Sequence, residues 1–148
     1  MANSDFYPGR LIPTRGRRLR LPLFRDKVSA GFPSPAEEYL EQNIDLNDHL
    51  VSHPSSTFFV RACGDSMIEL GIFDGDLLLV DRSLQAKQGD VVIAAVDGQL
   101  TCKILDLKHR QLLPANAKHK PIKLPEEMDL VIEGVVPAHI HYHRHWPW

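Results

Sequence analysis

A mostly β domain of short, mainly antiparallel strands, preceded by a flexible N-terminal arm and carrying one or two short helices, is the fold class this sequence predicts. Three observations predict it. From Thr57 onward, short aliphatic or β-branched runs are separated by Gly, Asp, Asn or Pro, which is the rhythm of strands and tight turns. The tetrapeptide "VDGQ", residues 96–99, carries the Asp-Gly pair favoured in two-residue hairpins. Charge also divides the chain: residues 1–30 hold seven basic side chains against Asp5 and Asp26, a net of +5, and the remaining 118 residues carry −7.

Taken in order, residues 1–30 include Pro8, Pro13 and Pro22 and show neither a helical nor a strand period, so they read as an extended, mobile arm. At Ser34 the pattern Ser-Pro-Ala-Glu supplies an N-cap, a proline at the first helical position and Glu37 to close a capping box, predicting a short helix through about Gln42. A second helical turn is expected after Asp45. The runs "TFFVRAC", "DLLLVD", "DVVIAAVDG", "QLTCKILDL", "RQLLPAN" and "DLVIEGVVPAHIHY" then predict strands, with residues 90–96 and 99–107 paired across the Asp-Gly turn.

A chain of 148 residues suits one domain with a substantial core. Composition, at 43% hydrophobic and 24% charged with a net charge of −2, is that of an ordinary soluble protein. No signal-peptide core and no apolar run long enough to span a bilayer is present, which predicts a cytoplasmic protein. Cys63 and Cys102 fall in predicted strands without a metal-ligand spacing and are expected as reduced, buried thiols. Nothing in the motifs demands a cofactor, and no Gly-rich phosphate loop, paired acidic motif or aromatic platform suggests a nuclease, a nucleotide hydrolase or a strand-binding fold.

Two residues carry chemistry. Ser66 lies in "GDSM", where glycine and aspartate by themselves explain a turn. A nucleophilic serine would need a base within hydrogen-bond reach and backbone N–H groups aimed at the oxyanion. The eight histidines lie in polar stretches or crowd the C-terminus and offer no evident triad. Lys103 is a lone cation in the strand "LTCKILDL", on the face of Thr101 and Leu105. Buried, it would lose its charge readily and serve as a base; on an edge strand, its stem would pack and its head would reach water. Strand pattern leaves both readings open.

The stretches "GDSMIELGIFDGDLLLVD" and "QGDVVIAAVDGQLTCKIL" resemble the self-cleaving serine/lysine peptidase domain of the LexA/UmuD family. The resemblance rests on a serine followed by methionine, the Gly75-Asp76 and Gly89-Asp90 pairs, and a lysine after the Asp-Gly hairpin, and it extends from about Leu21 to about Val136. It implies that Ser66 is the nucleophile, Lys103 the general base, and the backbone N–H groups of Ser66 and Met67 the oxyanion donors. The bond cut would lie between Ala30 and Gly31 of the same protein, dividing the chain into a 1–30 arm and a 31–148 peptidase and dimerisation domain.

The resemblance further implies stimulation by the RecA filament on single-stranded DNA, a homodimeric product and a partnership with a UmuC-type polymerase in the SOS response to DNA damage. A rival reading is a binding module that keeps the fold without the chemistry. The basic arm could also meet nucleic acid through phosphate contacts. In the tail "AHIHYHRHWPW", alternation would set His139, His141, His143 and His145 on one face if the strand persisted, yet a solvated, fraying tail without a metal is the expectation.

Overall fold

The computed structural model describes residues 18–24, 28, 30–31, 40–127 and 130–144. They divide into two units, Met1–Leu50 and Val51–Trp148. In the first, β1 (Leu21–Phe24) pairs antiparallel with β2 (Leu40–Ile44), Leu21 opposite Ile44 and Phe24 opposite Leu40. Two expectations change here. Residues 21–24, read as part of an unstructured arm, are a paired strand, and Pro22 is tolerated because a two-stranded sheet is all edge.

The helix expected from Ser34 through Gln42 does not reach its predicted end, because residues 40–42 belong to β2. Its cap residues Ser34, Pro35 and Glu37 lie outside the described residues. Capping signals mark where a helix could start; they do not fix how far it runs against a competing strand partner. The turn expected after Asp45 is present as α1 (Leu46–Leu50). Asp45 is its cap: its Oδ1 accepts from the Asn47 N–H at 2.9 Å and its carbonyl accepts from the His49 N–H at 2.9 Å.

The second unit is built on a seven-stranded sheet. Its strands are β3 (Thr57–Arg61), β4 (Leu77–Asp81), β5 (Val91–Val96), β6 (Gln99–Asp106), β7 (Gln111–Leu113), β8 (Ile122–Lys123) and β9 (Leu130–Ile140), in the spatial order β3-β4-β9-β5-β6-β7-β8, every pair antiparallel. The mostly β, mainly antiparallel architecture is as the sequence predicts. The β5–β6 hairpin closes between Val96 and Gln99, with Asp97 at φ 48° and Gly98 at φ 78°. Two successive positive φ values define the hairpin turn that Asp-Gly accommodates.

Both faces of this sheet are packed. Alternation along β5 sends Ile93 into a cluster with Met67, Ile72, Leu78, Val80 and Val136, while Val92 and Ala94 join Leu105, Leu112, Leu124 and Val135. Strands buried on both faces lose the polar half of their alternation, which is why "LLLV" and "VVIAA" read as unbroken apolar runs. β9 ties the halves together, its first part pairing with β5 and its last part with β4. At the junction, Gly134 has no room for a side chain: a Cβ there would stand 2.5 Å from Val80 Cγ1 and 3.1 Å from the Asp81 carbonyl oxygen. The two-residue β8 has no counterpart in the sequence reading, since two residues carry no period.

Candidate active site

Ser66 sits where β3 runs out, in the turn that precedes a 3-10 turn at Ile68–Leu70. Met67 anchors that turn by burying its side chain to 3% exposure among Ile72, Leu78 and Val80. Lys103 projects from the middle of β6 and is buried. Its Nζ lies 2.8 Å from Ser66 Oγ, 3.0 Å from Thr101 Oγ1 and 3.0 Å from the Cys102 carbonyl oxygen. Lys103 therefore shares the face of Thr101, as alternation predicts, and of the two readings left open for it the buried one describes the molecule.

The two Gly-Asp pairs are two copies of one corner. In each, the aspartate carboxylate accepts from the N–H three residues back (Phe73 to Asp76 Oδ2, Lys87 to Asp90 Oδ2, both 2.8 Å), and the aspartate N–H bonds that residue's carbonyl at 3.1 Å. Each corner also grips a residue of another segment. The N–H of Gly75 bonds the Ala62 carbonyl and the N–H of Ala62 bonds the Asp76 carbonyl, both at 2.8 Å. Gly89 and Asp90 hold Leu105 in the same way, also at 2.8 Å. One corner thus fixes the backbone just before the Ser66 turn, and the other fixes β6 just beyond Lys103.

Burial holds the Lys103 amine below the ordinary lysine value, partly offset by the neighbouring Cys102 thiol. Among the described residues no carboxylate forms an ion pair with it. The Cys102 thiol is pushed up to about 11, again by burial and against the pull of Lys103, and stays protonated at neutral pH. A cavity of about 240 Å³ opens over the pair, with Val60, Ile72, Leu78, Ile93 and Leu100 on its apolar sides. A serine hydroxyl on an amine readily made neutral, facing a mostly apolar cavity, is equipped for acyl transfer.

Other sequence readings shift. Cys63 follows β3 instead of lying within it and is exposed; Cys102 is in β6; both are free thiols. Ala30 and Gly31 form an exposed bend of the first unit. His139 and His141 are docked, contrary to a solvated tail: His139 Nε2 bonds the Gly71 carbonyl at 2.9 Å, and His141 Nδ1 pairs with the buried Asp76 Oδ1 at 2.6 Å. The strand ends at Ile140, His143 meets the His141 ring edge-on at 5.2 Å, and His145 lies outside the described residues. Among the described residues, no group of three or more His, Cys, Asp or Glu side chains is placed to hold a metal ion.

The histidines do find carboxylates that sequence reading missed: His53 with Asp81, His109 with Asp106 and His119 with Asp65, at 2.7, 2.8 and 2.7 Å. Asp81 and Asp65 are distant in sequence from their histidines, Asp106 lies three residues from His109 at the end of β6, and none of these histidines hydrogen-bonds Ser66. Asp65, however, immediately precedes it. The His119 hydrogen bond, working against a smaller cost of burial, holds the Asp65 carboxyl below its usual value.

Comparison with known families places this domain among the peptidases. Residues 22–137 match the Peptidase S24-like family, and the chain belongs to that family. It is 50% identical over 124 residues to Protein SamA of Salmonella typhimurium, covering 83% of this chain and 86% of that protein. Protein ImpA of Escherichia coli is 45% identical over 123 residues, 83% of this chain and 85% of its own length. A LexA repressor, from Alcanivorax borkumensis, is 40% identical over 111 residues, 74% of this chain but 53% of the repressor. The resemblance read from the Ser-Met, Gly-Asp and lysine pattern is borne out. Among the described residues no helix is long and apolar enough to cross a membrane.

Proposed function

We propose that the protein is a self-cleaving serine peptidase of the SOS response that cuts its own chain between Ala30 and Gly31. The observation that carries this reading is the 2.8 Å approach of Lys103 Nζ to Ser66 Oγ in a buried setting. Neutral Lys103 takes the Ser66 proton as Oγ attacks the Ala30 carbonyl carbon, and the N–H groups of Ser66 and Met67 hold the oxyanion. The ammonium then gives that proton to the nitrogen of Gly31 as the C–N bond breaks. Water, losing a proton to Lys103, adds to the ester and releases residues 1–30, and Ser66 recovers its proton. The small Ala30 side chain suits the apolar cavity, and each molecule reacts once.

The product, residues 31–148, is a cytoplasmic homodimer that joins a UmuC-type polymerase as the accessory subunit of error-prone synthesis past DNA lesions. The RecA filament on single-stranded DNA stimulates the cut by favouring the state in which the arm occupies the site. Kinship with LexA and with SamA and ImpA supports this placement. The test is to incubate the wild type, Ser66→Ala and Lys103→Ala with activated RecA filament and weigh the products. The wild type yields a 118-residue product, the chain beyond residue 30; Lys103→Ala, without the base, slows by about 10²–10⁴-fold, and Ser66→Ala, without the nucleophile, stays intact. An intact wild type, or a cut made by Ser66→Ala, refutes the proposal.

A further inference from the structure

The segment after β7, residues 114–119, does nothing in the mechanism above, yet it grips the nucleophile turn at five points. The Ala115 N–H donates to the Ser66 carbonyl at 2.8 Å, and the Ala115 carbonyl accepts from the Glu69 N–H at 2.9 Å. Asn116 Nδ2 donates to the Asp65 carbonyl at 2.9 Å. Glu69 Oε1 accepts from the Ala117 N–H at 3.0 Å, and His119 Nε2 meets Asp65 Oδ1 at 2.7 Å. Asn116 is 6% exposed, and its Oδ1 accepts from the Lys118 N–H at 3.0 Å, so its amide nitrogen is the end that faces Asp65.

Peptide planarity turns this grip into aim. In a planar trans peptide the C=O and the N–H point in opposite directions. Asn116, by holding the Asp65 carbonyl, therefore sets the direction of the Ser66 N–H. Ala115, by holding the Ser66 carbonyl, sets that of the Met67 N–H. Neither of these N–H groups donates to a backbone acceptor among the described residues. Two donors left open on a turn whose carbonyls are tied from behind are what an oxyanion requires.

We infer that Asn116 is a positioning residue of the peptidase, its side-chain amide fixing the peptide that presents the Ser66 N–H to the oxyanion, with His119 bracing Asp65 behind it. The inference rests on the reading of Ser66 as nucleophile given above. Asn116 touches no reacting atom. It lowers the barrier by removing the rotation the Asp65-Ser66 peptide would otherwise have to be frozen out of during attack.

The experiment is base-driven self-cleavage of the full purified chain without RecA, followed from pH 7 to 10.5 for the wild type, Asn116→Ala, Asn116→Asp and Ser66→Ala, with thermal midpoints for each. Asn116→Asp keeps the acceptor for the Lys118 N–H but replaces the donor with a negative charge, whereas Asn116→Ala removes the donor without adding charge. Both Asn116 variants are expected to lower the plateau rate by about 10–100-fold, and in the uncharged Asn116→Ala the midpoint of the pH profile stays where Lys103 sets it. If the loss of the buried amide unfolds both, His119→Ala, at a half-exposed imidazole, is the second variant. It is expected to lower the plateau by about 3–10-fold with the same midpoint.

Folded Asn116 variants within about twofold of the wild type overturn the inference, as does a displaced pH midpoint in Asn116→Ala, which would mean that the residue acts through Lys103. If the Asn116 variants unfold, a wild-type rate in His119→Ala overturns it. These outcomes, with the wild type cutting and Ser66→Ala intact, leave the peptidase reading standing. An uncut wild type, or a cut made by Ser66→Ala, removes both.

Discussion

Lys103 shows how a single side chain can be both a cost and a resource. Its depressed folded value means that, between that value and the ordinary 10.5, the unfolded chain binds the proton that the folded chain has given up. Stability therefore rises with pH across that window. Relative to Lys103→Met, which has no such proton, the wild type is expected to gain in thermal midpoint as pH is raised from 7 to 10, and differential scanning fluorimetry across that series reads it. A constant difference would contradict the burial argument. The same deprotonation governs the proposed cleavage, which should climb about tenfold per pH unit before levelling off. Sequence held both residues of the proposed dyad and the alternation that puts Lys103 beside Thr101. It could not distinguish a buried lysine from a snorkelling one, because that depends on what the turn at Ser66 places over it. Nor could it show Asn116 or His119, which reach Asp65 only once β7 has carried the chain back across the molecule.

At the scale of elements, β9 is where the packing tolerates least. Gly134 lies against Val80 and the Asp81 carbonyl where the strand passes from β5 to β4, and the 2.5 Å approach leaves no space for a methyl group. Gly134→Ala is expected to destabilise the fold by about 1–3 kcal/mol, measured by urea unfolding, because the nearer obstacle is buried Val80 and the next is backbone. An unchanged midpoint would mean that the two strands can part without loss. The β elements from Thr57 onward were legible since apolar runs, Gly-Asp corners and an Asp-Gly hairpin all point to the same structure. The first unit was not. A four-residue strand containing Pro22 has no readable period, and the Ser34 cap argued for a helix where residues 40–42 pair with β1. Long-range pairing there outweighs a local signal that is worth little by itself. The histidine tail failed for a related reason: alternation ends with the ladder at Ile140, and His139 and His141 are claimed by Gly71 and Asp76.

Across the whole molecule, buried carboxylates at strand ends set the response to acid. Burial raises the Asp81 value, but hydrogen bonds from Ser83 and His53 outweigh it and leave the group below 3.8. Asp106 is lowered far more, by Gln111 first, then Gln88 and, against the cost of burial, His109. Both contribute stability that is whole above the ordinary carboxylate value and is lost as pH falls through the folded ones. Thermal midpoints from pH 5 to 2 should fall, and fall less steeply in Asp106→Asn, which starts lower because it no longer offers a carboxylate to its donors. Equal slopes would exclude Asp106 as a source of the acid sensitivity. The paired corners carry a different consequence at this scale. A strand that slips by one residue turns each of its side chains to the other face, and β6 would then offer Cys102 where Lys103 belongs. By clasping Ala62 and Leu105, the corners act as registration pins for the two segments that bring serine and lysine together. The proposed reactivity is thus a matter of phase: inserting or deleting one residue between Gly89 and Lys103 would silence it more surely than most substitutions in the cavity wall.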